Sequence, residues 1–176
     1  LSRMQGTERD PDIEECAGYR APASRLLLGA VPCDKPPLLS IAIPTYRRFD
    51  LLAETLESVF RLDFEIPVEV LVVDNDPGND AMAISEMEKF KGRSLSYYKN
   101  QRNLGMFGNW NQCLALARGQ YVTILHDDDL LLPEFAFQVN RKLGMRHFTG
   151  DIFGFRVSIL DEREGQSDAS PVGFQS

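Results

Sequence analysis

The sequence predicts an α/β fold, a mainly parallel sheet flanked by helices on both faces. Two observations carry this expectation. Short runs apolar at nearly every position recur along the chain, as in LLSIAIP (38–44) and VEVLVVD (68–74). Such runs suit strands covered on both faces, as parallel sheets require. Between them stand segments with apolar residues at helical spacing, as in FDLLAETLESVFR (49–61). Strand and helix alternate at short spacing, so right-handed crossovers bring every strand's C-terminal end to one sheet edge.

Each element follows in order. Residues 1–37 hold Pro11, Pro22, Pro32, Pro36 and Pro37 among mixed charges. They are expected to be an irregular N-terminal extension, loosely packed or with one short helix. LLSIAIP is a buried strand ended by its proline. In 49–61, Leu52, Leu56, Val59 and Phe60 share one helical face, and Asp50 is placed as N-cap. VEVLVVD is the second strand. NDAMAISEMEKF (79–90) reads as a helix capped by Asn79 and stopped by Gly92. SLSYYKN (94–100) is a third, more polar strand. In MFGNWNQCLALARG (106–119), Met106, Trp110, Cys113, Leu114 and Ala117 recur at helical spacing, which predicts a buried face and a C′ role for Gly119. QYVTIL (120–125) is the fourth strand, and Pro133 opens another helix at N1 with Glu134 in its first turn. DIFGFRVSIL (151–160) reads as a fifth strand and EREG (162–165) as a turn. The expected organisation is an extension over 1–37, one ligand-binding domain over 38–160, and a hairpin or tail over 161–176.

Composition narrows the function. The chain has 176 residues, enough for one domain with a sizeable core. No run approaches the ~20 apolar residues of a membrane span. RLLLGAVPC (25–33) is short and follows an acidic stretch, so it makes a poor secretion signal. Acidic residues number 26 and basic ones 19, a net charge of −7, and no basic stripe stands out. This argues against nucleic acid as a main partner. Lys89/Lys91/Arg93 and Arg141/Lys142/Arg146 read as solvated faces. Cys16, Cys33 and Cys113 are odd in number and irregular in spacing, which fits a reducing compartment without disulfides. His126 and His147 offer no zinc spacing.

Four loops leave the C-terminal sheet edge, where open α/β sheets bind ligands. They carry Pro44-Thr45-Tyr46, Asp74-Asn75-Asp76, NQRNLG (100–105) and, in ILHDDDLLLP (124–133), Asp127, Asp128 and Asp129. Three adjacent carboxylates have three plausible uses: a hard cation shared with substrate phosphates, acid/base chemistry by a like-charge pair, or helix caps and turns. The cation is favoured, because neighbouring carboxylates need a positive charge to relieve their repulsion.

SIAIPTYRR, LVVDND, NQRNLG and ARGQYVTILHDDDLLLP, in this order and spacing, resemble a family 2 glycosyltransferase of the GT-A (Rossmann-like) fold. The resemblance spans about residues 38–160. It implies transfer of a sugar, with inversion and divalent-metal assistance, from a nucleotide-sugar donor, UDP most commonly. The implied acceptor is a polysaccharide or lipid-linked glycan, placing the protein in the cytoplasm or peripherally at the inner face of the membrane. It implies that Pro44, Thr45 and Tyr46 line the nucleoside pocket. Asp74 would accept a hydrogen bond from the base, with Asn75 and Asp76 beside it. Arg102 and Asn103, with Gly105 at the turn, would shape the wall near base and ribose. Asp127 and Asp128 would form the Asp-x-Asp-type motif. Asp128 would hold the Mn²⁺ or Mg²⁺ bridging the phosphates, Asp127 would meet the ribose or the metal, and Asp129 would orient the sugar or the loop. His126 stands where many relatives carry an aspartate, and a supporting role is expected. The family's general base comes from an acceptor-binding half after the fifth strand, and nothing marks Asp168 for it. The chain is therefore expected to be the donor-binding half of a longer enzyme, or an incomplete one. A non-catalytic nucleotide-sugar-binding module is the alternative. A nucleotidyltransferase would need a glycine-rich loop that PTYRRFD lacks. A phospho-acceptor domain built on Asp74 would leave the aspartate run and NQRNLG unexplained.

Overall fold

The computed structural model describes residues 24–29 and 36–144. The strand expected at 151–160, the turn at 162–165 and the tail lie outside the described residues. The elements are β1 (Ser24–Leu28), β2 (Leu39–Thr45), α1 (Phe49–Phe60), β3 (Val68–Asp74), α2 (Asp80–Met87) with a 3₁₀ turn (Glu88–Phe90), β4 (Leu95–Asn100), α3 (Gly105–Leu116), β5 (Tyr121–Ile124) and α4 (Pro133–Leu143). The sheet order is β1-β4-β3-β2-β5. β2 pairs in parallel with β3 and β5, and β3 with β4; among the described strands only β1 runs antiparallel, against β4.

Strand alternation divides the core in two. Leu39, Ile41, Ile43, Val70 and Val72 point to one face. There they meet Leu52, Leu56 and Val59 of α1, Ala83 and Met87 of α2, and Val139 and Leu143 of α4. Ala42, Leu71 and Val73 point to the other face and meet Cys113 of α3. Burial drives both layers, at roughly 1.5–3 kcal/mol for each fully buried aliphatic or aromatic side chain. The result is the expected mainly parallel sheet with helices on both faces.

Several local expectations are corrected. Ser24–Leu28, within the stretch expected to be irregular, is a strand. It pairs with β4's outer edge, whose backbone groups would otherwise lack partners, and its register shifts between Leu26 and Leu28. Gly29 follows at φ +122, where a Cβ would lie 2.5 Å from the Leu95 carbonyl oxygen. Asp50 is not the N-cap of α1; Arg48 holds that position and Asp50 lies in the first turn. Asn79 is the N-cap of α2, as expected, but it is left-handed and makes no side-chain cap bond. Gly119 is not a C′ residue, since α3 ends at Leu116 and its cap, Ala117, is extended. Gly119 is required for close approach instead: a Cβ there would stand 2.6 Å from Ser40 N and Oγ. Its N–H donates to Ser40 Oγ at 2.7 Å, seating the start of β5 on β2.

The largest correction concerns α3. Its buried residues are Asn109, Gln112 and Cys113. Of the expected apolar face, Met106 is 58% and Leu114 51% exposed, while Trp110 and Ala117 are half-buried. The helix turns two amides toward the sheet beside Cys113, with Leu116 and Ala117 packed at its C-terminal end. The reason lies in the loops it touches.

Candidate functional site

The four parallel strands deliver their following loops to one edge. At the end of β2, Thr45 is buried and Tyr46 is 41% exposed. Arg47 then adopts φ 59, left-handed for a residue with a Cβ, at a cost of about 1–2 kcal/mol. This turn sends Arg47 to one side. Its Nε donates to Asp76 Oδ2 at 3.0 Å, and its guanidinium lies 5.1 Å from the Tyr46 ring centre. Asp76, 3% exposed, also accepts from Gly78 N and Asn79 Nδ2. The hydrogen bond from Arg47 is the largest cause holding its carboxyl down at about 2, against an ordinary 3.8.

Asp74 departs from expectation. It is fully buried and does not line the cleft. Its Oδ2 accepts from Tyr97 OH and Lys99 Nζ, both at 2.9 Å, and its Oδ1 accepts from Asp76 N at 2.9 Å. Tyr97 and Lys99 are themselves wholly buried. Burial, ahead of the Asp74 charge, pushes the Tyr97 hydroxyl far up, so it remains a donor. Asp74 thus organises the β3 loop from within. Removing one partner of such a buried pair strands the other's charge.

Amides knit the next two loops together. Asn75 N donates to Thr45 O at 2.9 Å. Asn75 Oδ1 accepts from Asn100 Nδ2 at 3.0 Å and Leu104 N at 2.9 Å, and its Nδ2 donates to Asn103 Oδ1 at 2.8 Å. Asn100 Nδ2 also donates to Asn109 Oδ1 at 2.8 Å, and Asn109 Nδ2 to Val73 O at 3.0 Å. An amide that donates and accepts can link two loops where an apolar side chain cannot. This is why α3 buries Asn109. Gly105 opens the helix at φ 71, and a Cβ added there would meet no atom within 4 Å, so the glycine serves the backbone angle rather than space.

The aspartate run divides by environment. Asp127 is 1% exposed; its Oδ2 accepts from Thr45 Oγ1 at 2.7 Å and its Oδ1 from Arg48 Nη2. Arg48 Nη1 also donates to Asp128 Oδ2 at 2.9 Å. Asp128 and Asp129 are exposed. Asp129 N closes a turn onto His126 O at 3.1 Å, and Thr55 Oγ1 of α1 donates to Asp129 O at 2.9 Å. Ligand atoms of His126, Asp128 and Asp129 lie within 4.8 Å of one another. The two carboxylates suit a hard divalent cation such as Mn²⁺ or Mg²⁺, and the imidazole beside them suits Mn²⁺ better than Mg²⁺. The geometry therefore differs from the expected trio: His126 joins the donors, while Asp127 turns inward with both oxygens engaged.

Between these loops and α3 lies a cleft of about 290 Å³, at the small end of ligand pockets. Pro44, Thr45, Tyr46 and Asn103 line it. Asp76 sits beneath Arg47, and Asp127 behind Arg48. Arg102 is exposed and not part of the lining. Arg48, Met106, Asn109 and Trp110 line the cleft although the sequence pattern assigned them no such role. Trp110 stands with its ring centre 5.2 Å from that of His126, joining cleft and acidic run. The available signal was GNWNQ itself, a helical segment with an amide on either side of its only tryptophan.

Residues 40–139 match the model of glycosyl transferase family 2. The chain is 35% identical over 97 residues to an uncharacterised protein of Mycobacterium tuberculosis, covering 55% of this chain and 30% of that one. It is 34% identical over 132 residues to the GalNAc(5)-diNAcBac-PP-undecaprenol beta-1,3-glucosyltransferase of Campylobacter jejuni, covering 73% and 40%. Among solved structures, S. aureus TarS 1-349 in complex with UDP-GlcNAc superposes with a TM-score of 0.51 at 26% identity, covering 60% of this chain and 31% of that one. The chain spans well under half the length of the curated relatives it matches.

Proposed function

Because the chain belongs to glycosyl transferase family 2, we propose that its cleft binds a nucleoside-diphosphate sugar, a UDP-sugar foremost, and that the protein serves sugar transfer to a glycan or lipid-linked acceptor. The carrying observation is the convergence at one sheet edge of the cleft, Arg48 and the His126–Asp128–Asp129 group. Tyr46 and Trp110 offer aromatic faces for the nucleoside, and Asn103 a polar wall. Arg48 and the acidic run stand where the diphosphate would leave the cleft. Asp128, Asp129 and His126 would hold a Mn²⁺ or Mg²⁺, with Asp127 fixing the loop beneath them. When bound, such an ion supplies Lewis-acid stabilisation of the departing diphosphate. The UDP-GlcNAc complex of TarS supports the donor class, and the lipid-linked name of the Campylobacter relative supports the acceptor class. Inversion would follow from direct attack by the acceptor, with the general base outside the cleft; among the described residues no carboxylate lines it.

In this reading residues 38–160 are the donor-binding domain, and residues 161–176 begin the acceptor-binding part. No helix among the described residues is long and apolar enough to cross a membrane. Work on a lipid-linked acceptor would use peripheral contact at the cytoplasmic face. Calorimetric titration with UDP, GDP and dTDP, each with Mn²⁺ and with EDTA, tests the reading. One nucleotide should bind in a Mn²⁺-dependent way, and Asp128→Asn should abolish that dependence while the fold persists. Equal affinity in Asp128→Asn and the unaltered chain would remove Asp128 from the metal site. Release of UDP from UDP-GlcNAc would separate an enzyme from a module that only binds.

A further inference from the structure

The cation that relieves the aspartate run in this structure is a side chain. Arg48 reaches Asp127 Oδ1 through Nη2 and Asp128 Oδ2 through Nη1. Its side chain is 48% exposed and lines the cleft, so it has room to move. Its neighbour does different work. The left-handed turn at Arg47 sends that guanidinium to Asp76, and the two adjacent arginines do not compete.

Asp128 is claimed twice. It bonds Arg48, and it belongs to the group with ligand atoms within 4.8 Å. A carboxylate oxygen bonded to Mn²⁺ or Mg²⁺ lies about 2.1 Å from the ion. With Arg48 Nη1 at 2.9 Å from Asp128 Oδ2, an ion held by that same oxygen would stand no more than about 5 Å from Nη1, and the two cations would repel. A diphosphate in the cleft changes the balance. Guanidinium groups pair with phosphate oxygens through two parallel hydrogen bonds, as they do with carboxylates. Arg48 can leave Asp128 for a diphosphate without losing an anionic partner.

We propose that Arg48 is a positioning residue that makes cation binding at Asp128 conditional on a diphosphate in the cleft. Without nucleotide, Arg48 holds Asp127 and Asp128 and opposes the ion. With nucleotide, Arg48 turns to the phosphates and Asp128 is released to the ion. Coupling of this kind is reciprocal, so the ion strengthens nucleotide binding by the same factor. The proposal rests on the cleft being a nucleoside-diphosphate site.

The test measures Mn²⁺ binding to the 176-residue chain from the paramagnetic resonance signal of the free ion, with and without UDP. It compares the unaltered chain with Arg48→Ala and Arg48→Gln, and near-ultraviolet circular dichroism checks that each variant is folded. Both variants should bind Mn²⁺ alone about tenfold or more tighter, and the gain in Mn²⁺ affinity on adding UDP should shrink by a similar factor. Variants that bind Mn²⁺ alone no tighter than the unaltered chain, including by not binding it, overturn the competition. If the unaltered chain binds none of UDP, GDP or dTDP under any condition, the nucleotide reading fails instead. The comparison in Mn²⁺ alone still decides whether Arg48 competes.

Discussion

Asp74, Asp76, Asp127 and Asp128 look alike in the sequence, and the structure gives each a different environment. Asp74 is an interior acceptor for Tyr97 and Lys99, Asp76 is the partner of Arg47, Asp127 is wedged between Thr45 and Arg48, and Asp128 stays 44% exposed at the edge. The sequence placed all four at the correct sheet edge, because strand ends can be read from periodicity. It did not show which would turn inward, because that depends on cations far away along the chain. Arg48 is the clearest case. It was visible in PTYRR, yet the need of the aspartate run for positive charge pointed first to a metal. Asp76 yields a prediction with a definite sign. Its carboxyl is held below its ordinary value in the folded state. The stability it contributes is therefore fully present above pH 3.8 and lost as pH falls through about 2. Thermal melts of the unaltered chain and Asp76→Asn should differ most above about pH 4 and converge near about pH 2, within about 0.5 kcal/mol. A gap that stays constant across this range would mean the carboxylate is not depressed.

At the scale of elements, α3 is where periodicity misled. Apolar residues at i, i+4, i+7 and i+8 usually mark the buried face, and Met106, Trp110, Cys113 and Leu114 obey that spacing. Only Cys113 among them is buried. Asn109 and Gln112 are buried beside it, and for Asn109 the strand ends beneath α3 present Val73 O and Asn100 Nδ2 rather than methyl groups. A hydrogen-bonded interface of that kind has no hydrophobic period to detect. In α1 the same rule succeeded, with Leu52, Leu56 and Val59 all buried. The two helices therefore predict opposite outcomes for similar substitutions. Leu56→Ala should cost about 2–5 kcal/mol in urea unfolding. Leu114→Ser should stay within about 0.5 kcal/mol. A large loss at Leu114 would restore it to the core and contradict the orientation of α3. Conversely, Cys113, whose thiol burial pushes up to about 12, is packing rather than a nucleophile.

For the whole molecule, the class of fold was legible because valine-rich runs and amphipathic helices alternate, and crossover handedness does the rest. The strand order was less accessible. β1 comes from a proline-rich stretch and joins β4 as the antiparallel edge, a pairing driven by an edge in need of a partner rather than by its own pattern. The sheet's overall effect is to gather four loops around one cleft. In the proposed function this cleft receives a nucleoside diphosphate. The chain's single tryptophan, Trp110, lines it and so reports on it directly. The decisive measurement is a fluorescence titration of Trp110 with UDP in the presence of Mn²⁺, repeated with Asp128→Asn. A saturable change that weakens in the variant is the predicted result. Nucleotide binding seen by calorimetry with no change at Trp110 would place the ligand elsewhere and contradict the claim.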